Sequence, residues 1–415
     1  MRILYLNPCG QMGGAETSLH ELLASIRQAE PEWELWLVLG EDGPLAGKAR
    51  ELGVKVVVEP FPAALGELGD AGRNAFAAMR SLPKALAGTM RYRRLLARIC
   101  RAAQPDVIHS NGLKMHLLGS WAGPRGVPVI WHIHDYLSRR PLMSRLLRRN
   151  GEDCAAAIAN SESVAEDLKA LMPYLRVAKI YNAIDFDRFA PAGETLDLDA
   201  CSGLPPAESG TVKVGLVATF ARWKGHHTFL QALAMLPQDA PVRGYVIGGP
   251  IYQTQSSQWS FSELRQEAER LGLAGRVGFT GFVDDPAPAM RSLDIVVHAS
   301  TQPEPFGMVI IEAMACERAV IASDAGGAAE LFVAGTNGLA HPPGNAAVLA
   351  QQIGRLASDE DLRRRLGKNG RAMAERVYHR KRLAAELRSL YREVSRTSET
   401  PPLPIEPSLP RVVHE

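Results

Sequence analysis

Short apolar runs rich in Val, Ile and Leu recur along the chain, most of them followed by stretches whose apolar positions return every three or four residues. In the first half the runs lie at 3–6, 34–39, 54–58, 107–109, 129–133 and 156–159, and helical stretches lie at 15–28, 45–52 and 164–171. Strands alternating with helices predict a parallel sheet covered on both faces. Residues 191–210 then lose periodicity and gather Pro, Gly, Ser and acids, which reads as a linker or lead-in loop. A second series follows, with strands at 212–218, 243–247, 277–280, 295–298 and 319–322 and helices at 227–236, 261–271 and 309–315. Leu362, Leu366, Leu383, Leu387 and Leu390 continue a helical spacing through the charged stretch 358–395.

The fold class expected is therefore α/β, with two doubly wound Rossmann-like domains facing across a cleft. The divisions expected are an N-terminal domain over 1–190, the linker over 191–210, a C-terminal domain over 211–377, a closing helix over 378–395 and a Pro-rich, disordered tail over 396–415. A length of 415 residues agrees, because single cores stop growing well short of it. No helical or solenoid repeat is present.

Composition narrows the class without naming an activity. Hydrophobic residues at 46% and charged residues at 22% are ordinary for a soluble globular chain. Five widely scattered cysteines, none in a C-x-x-C pair, indicate neither a disulfide framework nor a zinc site. The apolar run at 3–6 is too short for a signal peptide, and no stretch approaches the ~20 apolar residues of a membrane span, so a cytoplasmic protein is expected. The formal charge of +2 hides a local imbalance: between Arg80 and Arg149 stand fourteen Lys and Arg against Asp106 and Asp135.

In a doubly wound sheet the ligand lies beyond the carboxyl ends of the strands, so the segments just after strands are the ones to read. After the first comes Gly10-Gln11-Met12-Gly13-Gly14-Ala15-Glu16, a glycine turn opening a helix. Bare backbone at Gly13 and Gly14 with free N–H groups suits a phosphate, although a tight strand-to-helix turn needs no more than this. The spacing is not G-x-G-x-x-G. Trp131-His132-Ile133-His134-Asp135 ends another strand, with both imidazoles on one face and no third group for a metal. His134 is the candidate contact to sugar or acceptor.

Arg222 and Lys224 follow the first strand of the second half, where two fixed cations could hold a leaving diphosphate. Further on, Pro303-Glu304-Pro305-Phe306-Gly307-Met308-Val309-Ile310-Ile311-Glu312 sets one acid in a loop and another in the first turns of a helix. Amides from Phe306 to Val309 could meet a phosphate, and the carboxylates could accept sugar hydroxyls. A second turn, Ala325-Gly326-Gly327-Ala328-Ala329-Glu330, follows the next strand.

These motifs resemble those of family 4 retaining glycosyltransferases (group 1) of the GT-B fold. The resemblance runs from the first glycine turn through Asn182-Ala183-Ile184-Asp185 to Gly326, and its most specific parts are E-P-F-G-x-x-x-x-E, A-G-G-x-x-E and Lys224-Gly225. It implies that Lys224 binds the donor diphosphate, that Glu304 contacts the transferred sugar and that Glu312 holds the ribose hydroxyls. It further implies that Phe306, Gly307, Met308 and Val309 meet phosphate or sugar through backbone, that Gly13 and Gly14 approach the diphosphate, and that His134 lines the sugar pocket. The family's Arg normally stands five residues before the Lys, where this chain has Thr219, so Arg222 is an offset candidate.

The expected reaction is same-face transfer of a hexose-type sugar from a nucleotide diphosphate sugar, with no metal or other cofactor, since fixed cations can do that electrostatic work. The basic stretch, with Leu142, Met143, Leu146 and Leu147 among its arginines, suits a helix lying on anionic lipid at the inner face of the cell membrane. A lipid-linked or polysaccharide acceptor of the cell envelope would follow; a solvated helix face is the plainer alternative. A nucleic-acid partner is not expected, for lack of interleaved stacking aromatics. The rivals are a nucleotide-sugar epimerase on the same fold and a non-catalytic nucleotide-sugar-binding protein.

Overall fold

A computed structural model describes residues 1–61, 75–250 and 258–399, with backbone alone for 75–85 and 397–399. Its first sheet contains β1 (Arg2–Asn7), β2 (Glu34–Leu39), β3 (Lys55–Val58), β4 (Val107–Asn111), β5 (Val129–Ile133), β6 (Cys154–Ala159) and β7 (Val177–Lys179), in the order β3-β2-β1-β4-β5-β6-β7. The second contains β8 (Val212–Val217), β9 (Val242–Ile247), β10 (Val277–Gly281), β11 (Ile295–His298), β12 (Ala319–Ser323) and β13 (Leu339–His341), ordered β10-β9-β8-β11-β12-β13. Every pairing between these strands is parallel. Both sheets reverse direction beside their first strand, at β1/β4 and at β8/β11, which opens a crevice at the carboxyl ends of those strands.

Alternation along each strand splits the cores. Ile3 and Tyr5 of β1 pack with Leu19, Leu22, Leu23 and Ile26 of the helix Gly14–Ala29, while Leu4 and Leu6 face the opposite layer with Leu96, Leu117 and Leu118. The short edge strands β7 and β13, three residues each, escape the reading by pattern because so few positions carry no period.

The segment 191–210 is more than a linker. Asp197 caps a short helix, Leu198–Ser202, through the Ala200 amide at 3.0 Å. Buried Asp199 accepts hydrogen bonds from Arg243 at 2.7 Å and Tyr245 at 2.6 Å, which pins the segment to β9. Pro and Gly interrupt the periodicity, but buried Leu198, the Asp199 carboxylate and the backbone carbonyls of Glu194, Leu196 and Pro205, which accept from Arg291, Ser292 and Arg243, dock it.

The chain crosses between the domains twice, side by side. Ile184 N–H donates to Tyr378 C=O at 3.0 Å, and Arg380 N–H to Ile184 C=O at 3.2 Å. Ala183 belongs to the first domain's core whereas Ile184, Phe186 and Phe189 belong to the second's, so the hand-over precedes residue 190. The last helix, Lys381–Glu399, returns Leu383, Leu387, Leu390, Tyr391 and Val394 to the first domain's core. It runs on through 396–399, which the composition assigned to the tail, because no breaker stands before Pro401. The rest of that expected tail, 400–415, lies outside the described residues.

Candidate active site

The switch point of the second sheet gathers the charged groups. Lys224 closes a single 3-10 turn after β8, and Glu304 lies in the loop after the neighbouring β11. Gly225 makes their meeting possible: at φ +78° its Cα faces the Ala299 carbonyl so closely that a Cβ would lie 1.8 Å from that oxygen. The Lys224 ammonium bonds to Oε1 of Glu304. Oε2 accepts from Ser300 Oγ at 2.5 Å and from His298 Nε2 at 3.0 Å.

Glu304 is 7% exposed. Burial by itself would raise its carboxyl, but the Lys224 ammonium and the His298 hydrogen bond outweigh it and hold the group well below the usual carboxylate range. Glu304 is therefore a fixed anion at any working pH. His298 and Ser300 were not foreseen in the sequence, although their period-two spacing at the end of β11 aims both at the same face.

Glu312 presents the opposite case. It sits within the helix Met308–Ala315, 8% exposed, and makes no side-chain hydrogen bond among the described residues. Burial lifts its carboxyl to about 7, with Arg188 acting against the rise. A lone carboxylate buried in a crevice is costly unless a donor arrives. Gly307, at φ +104°, caps the same helix, so the amides of its first turn have no side-chain cap. Met308 and Val309 are half-buried at that end, while the Phe306 ring is 3% exposed and packs against Tyr181 and Tyr378, leaving only its backbone for a ligand.

Arg222 is engaged elsewhere. Its guanidinium bonds to Glu263 at 3.0 Å and stacks 4.0 Å above the Trp259 ring, so the structure does not bring it together with Lys224 and Glu304.

From the first domain, Gly13 caps the helix Gly14–Ala29 without a side-chain bond, and a Cβ on Gly14 would meet no atom within 4 Å. His134 follows β5 and bonds through Nε2 to Asn111 Oδ1 at 3.2 Å, while its buried Nδ1 has no hydrogen-bond partner among the described residues. Burial pushes this imidazole down to about 4, so it is neutral near pH 7. With the proton on Nε2, Nδ1 is an acceptor. His132 packs against it, the rings tilted by 35° with centroids 4.0 Å apart, and is held in turn by His109, which bonds to Tyr391 of the last helix at 2.7 Å. No group of three or more His, Cys, Asp or Glu among the described residues is placed to hold a metal ion.

The family profile described as "Glycosyl transferases group 1" matches residues 206–373, and that described as "Glycosyltransferase Family 4" matches 12–188. The chain belongs to the family 4, group 1 glycosyltransferases. Its domains are the two Rossmann-like halves of a GT-B fold. The chain is 28% identical over 290 residues to the alpha-D-kanosaminyltransferase of Streptomyces kanamyceticus, covering 65% of this chain and 71% of that one. It is 29% identical over 227 residues to the lipopolysaccharide core biosynthesis glycosyltransferase LpsE of Rhizobium meliloti, covering 55% of this chain and 60% of that one. Anabaena HepE, solved in complex with UDP-glucose, superposes with a TM-score of 0.74 at 27% identity, covering 94% of this chain and 99% of that one. This glycosyltransferase therefore matches transferases of differing substrate, which does not favour an epimerase.

Proposed function

We propose that this glycosyltransferase moves a hexose-type sugar from a nucleotide diphosphate sugar to an acceptor with retention, in the crevice between β8 and β11. The observation that carries the reading is the Lys224–Glu304 pair, its carboxylate buried and held by His298 and Ser300 beside the helix that opens at Gly307. In this reading Lys224 and the amides at Phe306, Gly307, Met308 and Val309 bind the diphosphate, with Gly13 and Gly14 approaching from the other domain. Glu312 takes the ribose hydroxyls, Glu304 the transferred sugar, and His134 lines the sugar pocket. HepE, solved with UDP-glucose, supports a donor of this type.

The bond from the anomeric carbon to the phosphate oxygen breaks with its electron pair going to the diphosphate. The acceptor oxygen attacks from the same face, and its proton passes to the departing phosphate. Lys224 stabilises the charge that develops there. In this reading the Lys224 ammonium and the helix amides carry the electrostatic work that a metal could do, so transfer should persist in chelator. A thermal-shift screen against UDP, GDP, ADP and their sugars identifies the donor, since ligand at 100-fold its dissociation constant adds about 2.7 kcal/mol. Transfer of the matching sugar, with the product's anomeric configuration read by NMR, then tests the reaction. Stabilisation without transfer to any acceptor would favour the non-catalytic binder.

A cell-envelope acceptor, lipid-linked or polysaccharide, is favoured by one surface of the first domain. Leu142, 64% exposed, lies beside Arg145, Arg148 and Arg149 on the helix Pro141–Arg149. Met90, 47% exposed, lies beside Arg91 and Arg94 on the helix Ala75–Ala103. Both helices pack on the helix Leu113–Ala122. Apolar side chains among arginines suit the surface of an anionic bilayer. No described helix is long and apolar enough to cross a membrane. Co-sedimentation with anionic vesicles that falls as salt rises is expected; its absence at low salt would remove the membrane contact from this reading.

A further inference from the structure

The turn Ala325-Gly326-Gly327-Ala328-Ala329-Glu330 has no part in the donor reading above, although a glycine turn after a strand resembles a phosphate cradle. Its surroundings say otherwise. A Cβ on Gly326 would lie 2.4 Å from Tyr136 Oη, and one on Gly327 would lie 2.0 Å from the Pro305 carbonyl oxygen and 2.8 Å from Ser161 Cβ. These glycines are bare because protein from both domains already fills the space, whereas Gly14 faces open space.

The first domain makes two kinds of contact here. The Glu330 carboxylate accepts hydrogen bonds from the Glu162 amide at 2.8 Å, the Ser163 amide at 2.7 Å and Tyr181 Oη at 3.1 Å. Those amides open the helix Glu162–Leu171, so its first turn is satisfied by a carboxylate from the other domain. Tyr136 Oη donates to the Glu304 carbonyl at 3.2 Å and accepts from the Gly327 amide at 3.2 Å, with Ser163 Oγ at 2.9 Å. Glu304 and Gly326 are paired as an isolated bridge, so one hydroxyl ties both loops.

We propose that Glu330 and Tyr136 are positioning residues that latch the second domain's Glu304 loop onto the first domain, so that Glu304, its carboxylate fixed within the second domain by Lys224, His298 and Ser300, meets the first domain's side of the cleft only when the cleft is closed. This rests on the reading of Glu304 as a donor-sugar contact; the latch itself is testable without it. Lys224 and Glu312 stay with the second domain in either state, so loss of the latch should lower turnover more than nucleotide affinity.

In Glu330→Ala, hydrogen exchange at the Glu162 and Ser163 amides of the full chain should quicken by roughly 10-fold or more, and the radius of gyration from small-angle scattering should rise. Unchanged exchange and an unchanged radius would overturn the latch whether or not the chain transfers sugar. With the nucleoside diphosphate that best stabilises the wild type as probe, affinity should stay within about 3-fold while kcat for transfer falls on the order of 10- to 100-fold. Affinity falling in step with kcat would instead place the turn in the donor pocket and overturn the proposal. Tyr136→Phe keeps the ring and loses only the hydroxyl's bonds to Glu304, Gly327 and Ser163, so it carries the same split should Glu330→Ala fail to fold. An unaltered kcat in Tyr136→Phe counts against the latch.

Discussion

Glu312→Gln should make the ligand-free protein more stable while weakening its hold on nucleotide, and the first effect has a size set by the site. Burial raises the Glu312 carboxyl to about 7 from an ordinary value of 4.5. A group whose pKa is raised on folding contributes stability that is complete below the unfolded value and is lost as pH climbs through the folded one. Between pH 5 and pH 8 the linkage relation gives a loss of about 2.5 kcal/mol from this one side chain. Glutamine has the same shape and no charge, so the variant keeps what the wild type loses. For a domain of this size that difference widens the gap in Tm by about 5–10 °C between pH 5 and pH 8. Thermal unfolding of the ligand-free proteins across that range measures it directly. A gap that stays constant with pH would show that Glu312 titrates normally and that the crevice does not desolvate it. Adding saturating nucleotide should reverse the order of stability, because only the carboxylate offers two charged acceptor oxygens, one for each ribose hydroxyl.

Three further outcomes follow from the same geometry. Lys224→Ala should lower turnover on the order of 10²-fold, as expected for loss of one preorganised charge, whereas Arg222→Ala should cost less than about 10-fold, its guanidinium being committed to Glu263 and Trp259; steady-state transfer rates decide, and near-normal transfer by Lys224→Ala refutes the assignment. Gly225→Ala puts a methyl carbon where the Ala299 carbonyl stands, so it should match the loss in Lys224→Ala and also lower Tm; normal turnover would mean that this turn does not place the lysine. Leu387→Ala, in the last helix, should destabilise the first domain by about 2–5 kcal/mol in urea unfolding, since the side chain is fully buried there; a transition confined to the second domain would contradict that packing.

Much of this was legible in the chain itself. The strand and helix periods divided it into two doubly wound halves, because a strand buried on both faces and a helix with one apolar stripe are local patterns. The same locality exposed Lys224, Glu304 and Glu312, since loop residues after strands in such sheets face the crevice. What the sequence could not determine lay in contacts between distant residues. Arg222 and Lys224 stand two residues apart, yet Glu263, 41 residues along the chain from Arg222, takes the first and Glu304, 80 residues along from Lys224, takes the second. The carboxyls of Glu304 and Glu312 share a motif but move in opposite directions, because Lys224 and His298 compensate the burial of the first and nothing of that strength compensates the second. The two glycine turns look alike in composition, and only the folded chain shows that Gly14 faces space while Gly326 and Gly327 face Tyr136, Pro305 and Ser161. Period and motif are properties of neighbours along the chain; charge balance, desolvation and the space beside a glycine depend on what tertiary packing brings there.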